Sequence, residues 1–302
     1  MKRRISRFFH FTLLVAILNV MPQPIWRLPA ALLAMLRMLA DPSLCRVAGP
    51  ALQALNHPDN FFTRWRFAWG ICYAYEANLI LGMQMTRITK RWVLDHIIVE
   101  GRLPTDGAVL LPIHQTNSRL AGLRLRAAGL SLGLIAADGT GATAREDPGY
   151  EQWLKEHGVT QPLISGVHAA RQRTYQGNIF VPPHAARPGR HWLLQGNSLV
   201  IAADTFAGTW PRCAILDRAM PIPPGAVWFA KQTDKPIVPF VICPRGKRWV
   251  LWIGEPVQAT AEGVAAGMES CIRQAPVSWT SMCWRAWSEM PSWKDDGVKE
   301  RG

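Results

Sequence analysis

The sequence predicts an α/β fold with a central, mostly parallel sheet flanked by helices, preceded by N-terminal membrane-anchoring helices. Three observations carry that expectation. Short β-branched runs alternate with a helical pattern through the middle of the chain, and the first forty residues are basic and then apolar. Lys and Arg outnumber Asp and Glu by 34 to 21. A chain of 302 residues can bury a large core, so one domain over residues 41–302 is expected behind an anchor at 1–40.

In the anchor, Lys2, Arg3, Arg4 and Arg7 precede an apolar run at 8–20, the order of a signal sequence or of a positive-inside anchor. The run is short, since about 20 apolar residues are needed to cross a bilayer as a helix, and Pro22 and Pro24 end it. A second apolar segment, 25–40, carries only Arg27 and Arg37. At ten residues apart these lie within a quarter turn of each other around a helix, so both can face lipid headgroups. The pair reads as an anchor followed by an interfacial helix on the cytoplasmic face. A cleaved signal peptide is the rival, and it lacks a small-x-small site near Asn19.

Behind the anchor, Phe62, Trp65, Trp69, Cys72 and Tyr73 recur at helical spacing within 61–81, a buried or lipid-contacting helix. Residues 93–99 read as a strand. A second strand, 108–113, follows the turn Pro104-Thr105-Asp106-Gly107 and ends at His114. Asn117 and Ser118 are good N-caps for a helix over 119–128 that Gly129 closes. Further strands are expected at 130–137, 199–203 and 237–242, and the strand–helix–strand succession makes the sheet largely parallel. Residues 248–253 return through Pro244-Arg245-Gly246-Lys247 and should pair antiparallel at an edge. The stretch 138–190, rich in Gly, Pro, Arg and His, reads as long functional loops.

Composition narrows the function. Hydrophobic residues are 49% and charged ones 18%, too greasy for an ordinary soluble enzyme and too interrupted for a multi-span membrane protein. A net charge of +13 seeks an anionic partner, nucleic acid or a phosphate-rich membrane. The 14 Trp favour the membrane, because an indole suits the headgroup interface. Zinc-finger spacing, an aromatic RNA-binding signature and a long Lys/Arg run are all missing, which argues against nucleic acid. The six cysteines form no C-x-x-C pair and the eight histidines no H-x-x-x-H pair, so neither a metal nor a disulfide framework is expected. There is no G-x-S-x-G elbow, phosphate-binding Gly-rich Lys loop or dinucleotide fingerprint, which argues against hydrolase, nucleotidase and dehydrogenase readings.

His114 stands where a parallel strand gives way to its crossover helix, the place where open α/β sheets put ligands. The segment from Leu110 through His114-Gln115-Thr116-Asn117-Ser118-Arg119 to Leu120 resembles the strand and turn of the lysophospholipid and lipid A acyltransferases. Leu199-Val200-Ile201-Ala202-Ala203-Asp204 is similar to that family's strand ending in Pro-Asp-Gln, and Pro223-Pro224-Gly225-Ala226 to its Pro-x-Gly-Pro-Ala segment. Lys235-Pro236-Ile237-Val238-Pro239 matches its apolar Val-Val-Pro strand. Ala275-Pro276-Val277-Ser278-Trp279, followed by Trp284-Arg285-Ala286-Trp287, resembles its Pro-Glu-Gln-Trp and His-Arg-Arg-Trp helix. Together these cover roughly residues 60–290, and the lipid A branch fits best.

The resemblance implies a glycerolipid acyltransferase-like fold and transfer of a fatty acyl group at the cytoplasmic face of a bacterial inner membrane. The donor would be acyl carrier protein or coenzyme A, the acceptor a lipid or glycolipid hydroxyl or amine, and no cofactor beyond the donor is implied. His114 is the implied general base and Asn117 is retained, but Arg119 stands where the family places the carboxylate. Three readings of that position stand. Asp138 or Asp204, each ending a strand, replaces the acid; Arg119 binds a phosphate or carboxylate of an altered acceptor; or the protein is a catalytically silent lipid-binding or assembly protein. Arg171 and Arg173 fall where the family uses Arg near its acyl and headgroup site, and in a basic loop both also read as surface charge.

Overall fold

The computed structural model describes residues 26–85, 87–135, 170, 172–182, 184–204, 210–246 and 248–293. Its strands are β1 (Ile97–Glu100), β2 (Val109–Pro112), β3 (Leu132–Ile135), β4 (Ile179–Phe180), β5 (Ser198–Val200), β8 (Ile237–Arg245) and β9 (Arg248–Ile253), with β6 (Arg212–Ile215) and β7 (Arg218–Pro221) in a separate antiparallel hairpin. The seven run in the spatial order β1-β9-β8-β2-β5-β3-β4. Only the β8–β9 pair is antiparallel. All four residues of β2 are buried, as an inner strand of a parallel sheet covered on both faces requires.

The alternation of β2 divides the core. Val109, Leu111 and Ile113 face one apolar cluster, and Ala108 and Leu110 the other. The first is closed by α6 (Ala186–Leu194), α7 (Gly225–Thr233), α8 (Ala261–Gln274), the 3₁₀ turn Pro276–Ser278 and α9 (Ser281–Glu289); the second by α4 (Lys90–His96) and α5 (Ser118–Ala127). Helix α3 (Phe61–Gln84) starts at a capping box between Asn60 and Thr63, and serves both clusters. Phe67, Ile71 and Cys72 enter the first, Ala77, Ile80 and Leu81 the second.

Several elements depart from expectation. Residues 93–96 are helical, because the Thr89 side chain accepts from Trp92 N and starts α4, leaving only Ile97–Glu100 extended. Strand β9 does pair antiparallel with β8, but β1 lies outside it, so β9 is not the edge. Within the stretch read as loops, β4 and the start of α6 are ordered elements, and 136–169 lie outside the described residues.

Helix α1 (Arg27–Ala40) packs Ala30, Leu33, Ala34 and Met38 inward, and leaves Leu28, Leu32, Met35, Leu36 and Leu39 exposed along its other face. Arg27 donates Nη1 to Gly246 O at 3.1 Å, and Arg37 is engaged with α3. Arg37 reaches Glu76 of α3 at 2.5 Å and lies over the Tyr75 ring. Among the described residues no single helix is long and apolar enough to cross a membrane, although α1 and α2 (Ser43–Ala54), bent by 97°, pass together by length and composition. The apolar run at 8–20 lies outside the described residues.

Candidate functional site

Strands β2 and β5 set the geometry. Val109 lies opposite Leu199 and Leu110 opposite Val200, and Ile201 N continues the ladder by bonding Leu110 O at 2.9 Å. Four residues beyond that last pair come His114 after β2 and Asp204 after β5, so both leave the carboxyl end of the sheet at the same level. Neighbouring strands lie about 4.8 Å apart, within reach of a His–Asp bond. Nδ1 of His114 stands 2.6 Å from Oδ1 of Asp204, and the backbone N–H of His114 donates to Oδ2 at 2.5 Å.

The two side chains differ in environment. The Asp204 carboxylate is wholly buried, whereas the imidazole is 46% exposed. Bonding to Asp204 raises the His114 pKa above the ordinary histidine value, with burial opposing and the carboxylate charge adding to the rise. An ionised acid at Nδ1 places the ring proton there and leaves the Nε2 lone pair for another proton. No described residue bonds Nε2.

A third segment closes the site. Thr116 N donates to Ser278 O and Thr280 N to His114 O, making an antiparallel bridge between Gln115 and Trp279. Gln115 Oε1 accepts from Ile242 N at 2.7 Å, and Ser278 Oγ donates to Ile242 O at 2.6 Å. The turn after β2, the end of β8 and the start of α9 are thus stitched together. Through this strap Trp279 Nε1 reaches Asp204 Oδ2 at 2.8 Å, with Cys283 Sγ 3.9 Å from the same oxygen. Neither Trp279 nor Cys283 stood out in sequence as a site residue. Trp279 lay within the motif resembling Pro-Glu-Gln-Trp, and that was the available signal.

The remaining candidates fall in different places. Asn117 is fully buried at the start of α5, where it makes no capping bond and donates Nδ2 to Thr116 Oγ1 at 3.2 Å. Arg119 is half-buried in the first turn of α5. Arg173 donates Nη1 to Met85 O at 3.0 Å, holding the end of α3. Asp138 and Arg171 lie outside the described residues, so of the two candidate acids Asp204 is the one seen at the ring.

A ring nitrogen of His114, a carboxylate oxygen of Asp204 and Sγ of Cys283 lie within 4.8 Å of one another, the spacing of a metal-ligand group. Nδ1 and Oδ1, however, are already at hydrogen-bond separation, and burial pushes the Cys283 thiol upward with the Asp204 charge adding to it. A protonated thiol beside a hydrogen-bonded pair is a poor ligand set. Two clefts lie elsewhere. One of about 510 Å³ is lined by Arg212, Glu262, Glu269, Arg273 and Trp293, and one of about 400 Å³ by Arg102, Asp106, Lys235 and Glu255.

No protein-family model matches the chain, and no curated protein matches it in sequence. Among solved structures it is similar to the 1-acyl-sn-glycerophosphate (LPA) acyltransferase PlsC from Thermotoga maritima, at 16% identity over 89% of this chain and 97% of that one, with a TM-score of 0.34. At that degree of likeness the chemistry has to be read from the dyad.

Proposed function

We propose that this protein is an acyltransferase in which His114 is the general base and Asp204 its orienting acid. The observation that carries the reading is the 2.6 Å contact between a half-exposed imidazole and a fully buried carboxylate at the carboxyl end of the sheet. Nε2 takes the proton of an acceptor hydroxyl or amine as that group attacks an acyl thioester of acyl carrier protein or coenzyme A. The tetrahedral adduct then expels the thiolate, which recovers the proton from the imidazolium, while Asp204 holds the ring and steadies its charge.

The acceptor is a membrane lipid or glycolipid, reached from the cytoplasmic face of the inner membrane. Supporting this are the outward face of α1, with Leu28 and Leu39 at 74% and 70% exposure, and the exposed Phe61, Phe62 and Trp65 at the start of α3. Arg119, in the turn that follows His114, is suited to an acidic group on that acceptor. It also favours a second reading, a silent lipid binder, because a cation occupies the position where the resembling family keeps its acid. Labelled acyl transfer by the full chain on vesicles separates the two. Transfer that falls sharply in Asp204→Asn supports the enzyme; absence of transfer from both thioester donors overturns it.

A further inference from the structure

A carboxylate with no solvent contact must find its hydrogen bonds inside the protein, or its charge is lost. Asp204 finds three close ones. Oδ1 faces the His114 ring, and Oδ2 takes the His114 backbone N–H and the Trp279 indole. Two of those donors belong to the residue being oriented, so Trp279 is the independent one of the three, with Cys283 Sγ farther off at 3.9 Å.

The surrounding tryptophans sharpen the contrast. Trp279 packs edge-on against Trp284 at 4.8 Å, and Trp284 against Trp287 at 5.4 Å, all three essentially without exposure. The indoles of Trp284 and Trp287 end on the backbone carbonyls of Pro276 and Ile215, as buried indoles usually do. That of Trp279 ends on the one carboxylate that meets His114.

We propose that Trp279 is the positioning residue of the dyad: carried by a segment strapped to the turn after β2, its indole N–H pins Oδ2 of Asp204 and so presents Oδ1 to Nδ1 of His114. This rests on the acyltransferase reading for its purpose, though not for its geometry. Among the described residues, the other titratable groups near the pair are Cys283 of α9 and Cys271 of α8. Burial and the charge of Asp204 push both thiols up, so they stay neutral where His114 titrates.

The test is the titration of His114, followed by NMR in the histidine-labelled full chain. Trp279→Phe keeps an aromatic ring but removes the N–H. Its loss frees Oδ2 and loosens the Oδ1–Nδ1 contact that holds the His114 pKa up, so His114 should titrate lower by on the order of one pH unit. The acid limb of transfer should move with it and the high-pH plateau less so, a pattern that simple loosening of the fold would not produce. Trp279→His, which restores an N–H, should return the limb part of the way. An unmoved titration in folded Trp279→Phe overturns the proposal. If that variant does not fold, the ¹⁵N-labelled wild type decides. One indole resonance must follow the His114 titration and lose its downfield position in Asp204→Asn, and failure to do so overturns the proposal equally. Neither the His114 titration nor the indole resonance needs turnover, so coupling without any acyl transfer upholds the role of Trp279 and refutes only the acyltransferase reading.

Discussion

His114 and Asp204 are held face to face by the register of two parallel strands, and the 90 residues that separate them in sequence also separate Leu110 from its partner Val200. The acid beside the ring thus comes from the neighbouring strand, while Arg119 lies in the first turn of α5.

His114→Ala should lower acyl transfer by about 10² to 10⁴, the usual contribution of a general base. Acyl-donor binding should stay nearly intact, because the imidazole is half exposed and the core does not rest on it. Steady-state rates beside a direct binding assay check this, and undiminished transfer removes His114 from the mechanism.

The pH dependence has a definite sign. A base works only when neutral, so transfer should be lost as pH falls through the His114 pKa, which Asp204 holds above the ordinary value. Asp204→Asn keeps the shape and removes the charge. The acid limb should move to lower pH while the plateau falls, by up to about 10⁴ if the pair behaves like other His–Asp dyads. For stability the linkage is opposite in direction. A raised histidine pKa contributes stability that is fully present below about pH 6.5 and is lost as pH rises through the folded value. A pH–rate profile whose limb is the same in both proteins contradicts the pairing.

Arg119→Glu should not rescue anything if Asp204 already supplies the acid. The change removes a cation and adds an anion, so KM for a phosphorylated acceptor should rise, on the order of tenfold for a lost charge-assisted bond, with kcat on a neutral acceptor little altered. Increased transfer would instead show that position 119 still wants a carboxylate.

The outward face of α1 can be tested without stripping the core. Deleting residues 1–40 would also remove Ala30, Leu33, Ala34 and Met38 from their buried positions. Leu28→Glu, Leu32→Glu and Leu39→Glu together should weaken binding to anionic vesicles in high salt, since each inserted leucine is worth about 1.5–3 kcal/mol. Surface changes of this kind should each alter folding stability by no more than about 0.5 kcal/mol. Unchanged co-sedimentation would mean that this face does not meet lipid.

Gly70→Ala should disturb the site from a distance. A Cβ there would lie 2.7 Å from Cγ1 of Val277, two residues before Trp279. Overpacking of this kind costs about 1–3 kcal/mol. Thermal unfolding should show that loss, and Val277→Ala should restore much of it.

Legibility in the sequence followed the range of the interactions. Strand β2, helices α3 and α5, and the β8–β9 hairpin were readable because apolar periodicity and turn residues act within a few positions, although β2 ends at Pro112 and the capping bond expected of Asn117 does not form. Residues 93–96 misled because β-branched side chains suggested a strand where Thr89 starts a helix. Strand order is a different kind of fact. Asp204 was recognisable as a carboxylate at a strand end, but nothing local says that β5 lies beside β2 or in what register. Trp279 was still less visible, since its N–H meets the acid only after the end of the chain folds back across β8 and the turn after β2. The amino-acid order determined which groups were available for proton transfer. Only the tertiary structure decided which of them met, because a hydrogen bond between residues 90 apart depends on the packing of whole strands.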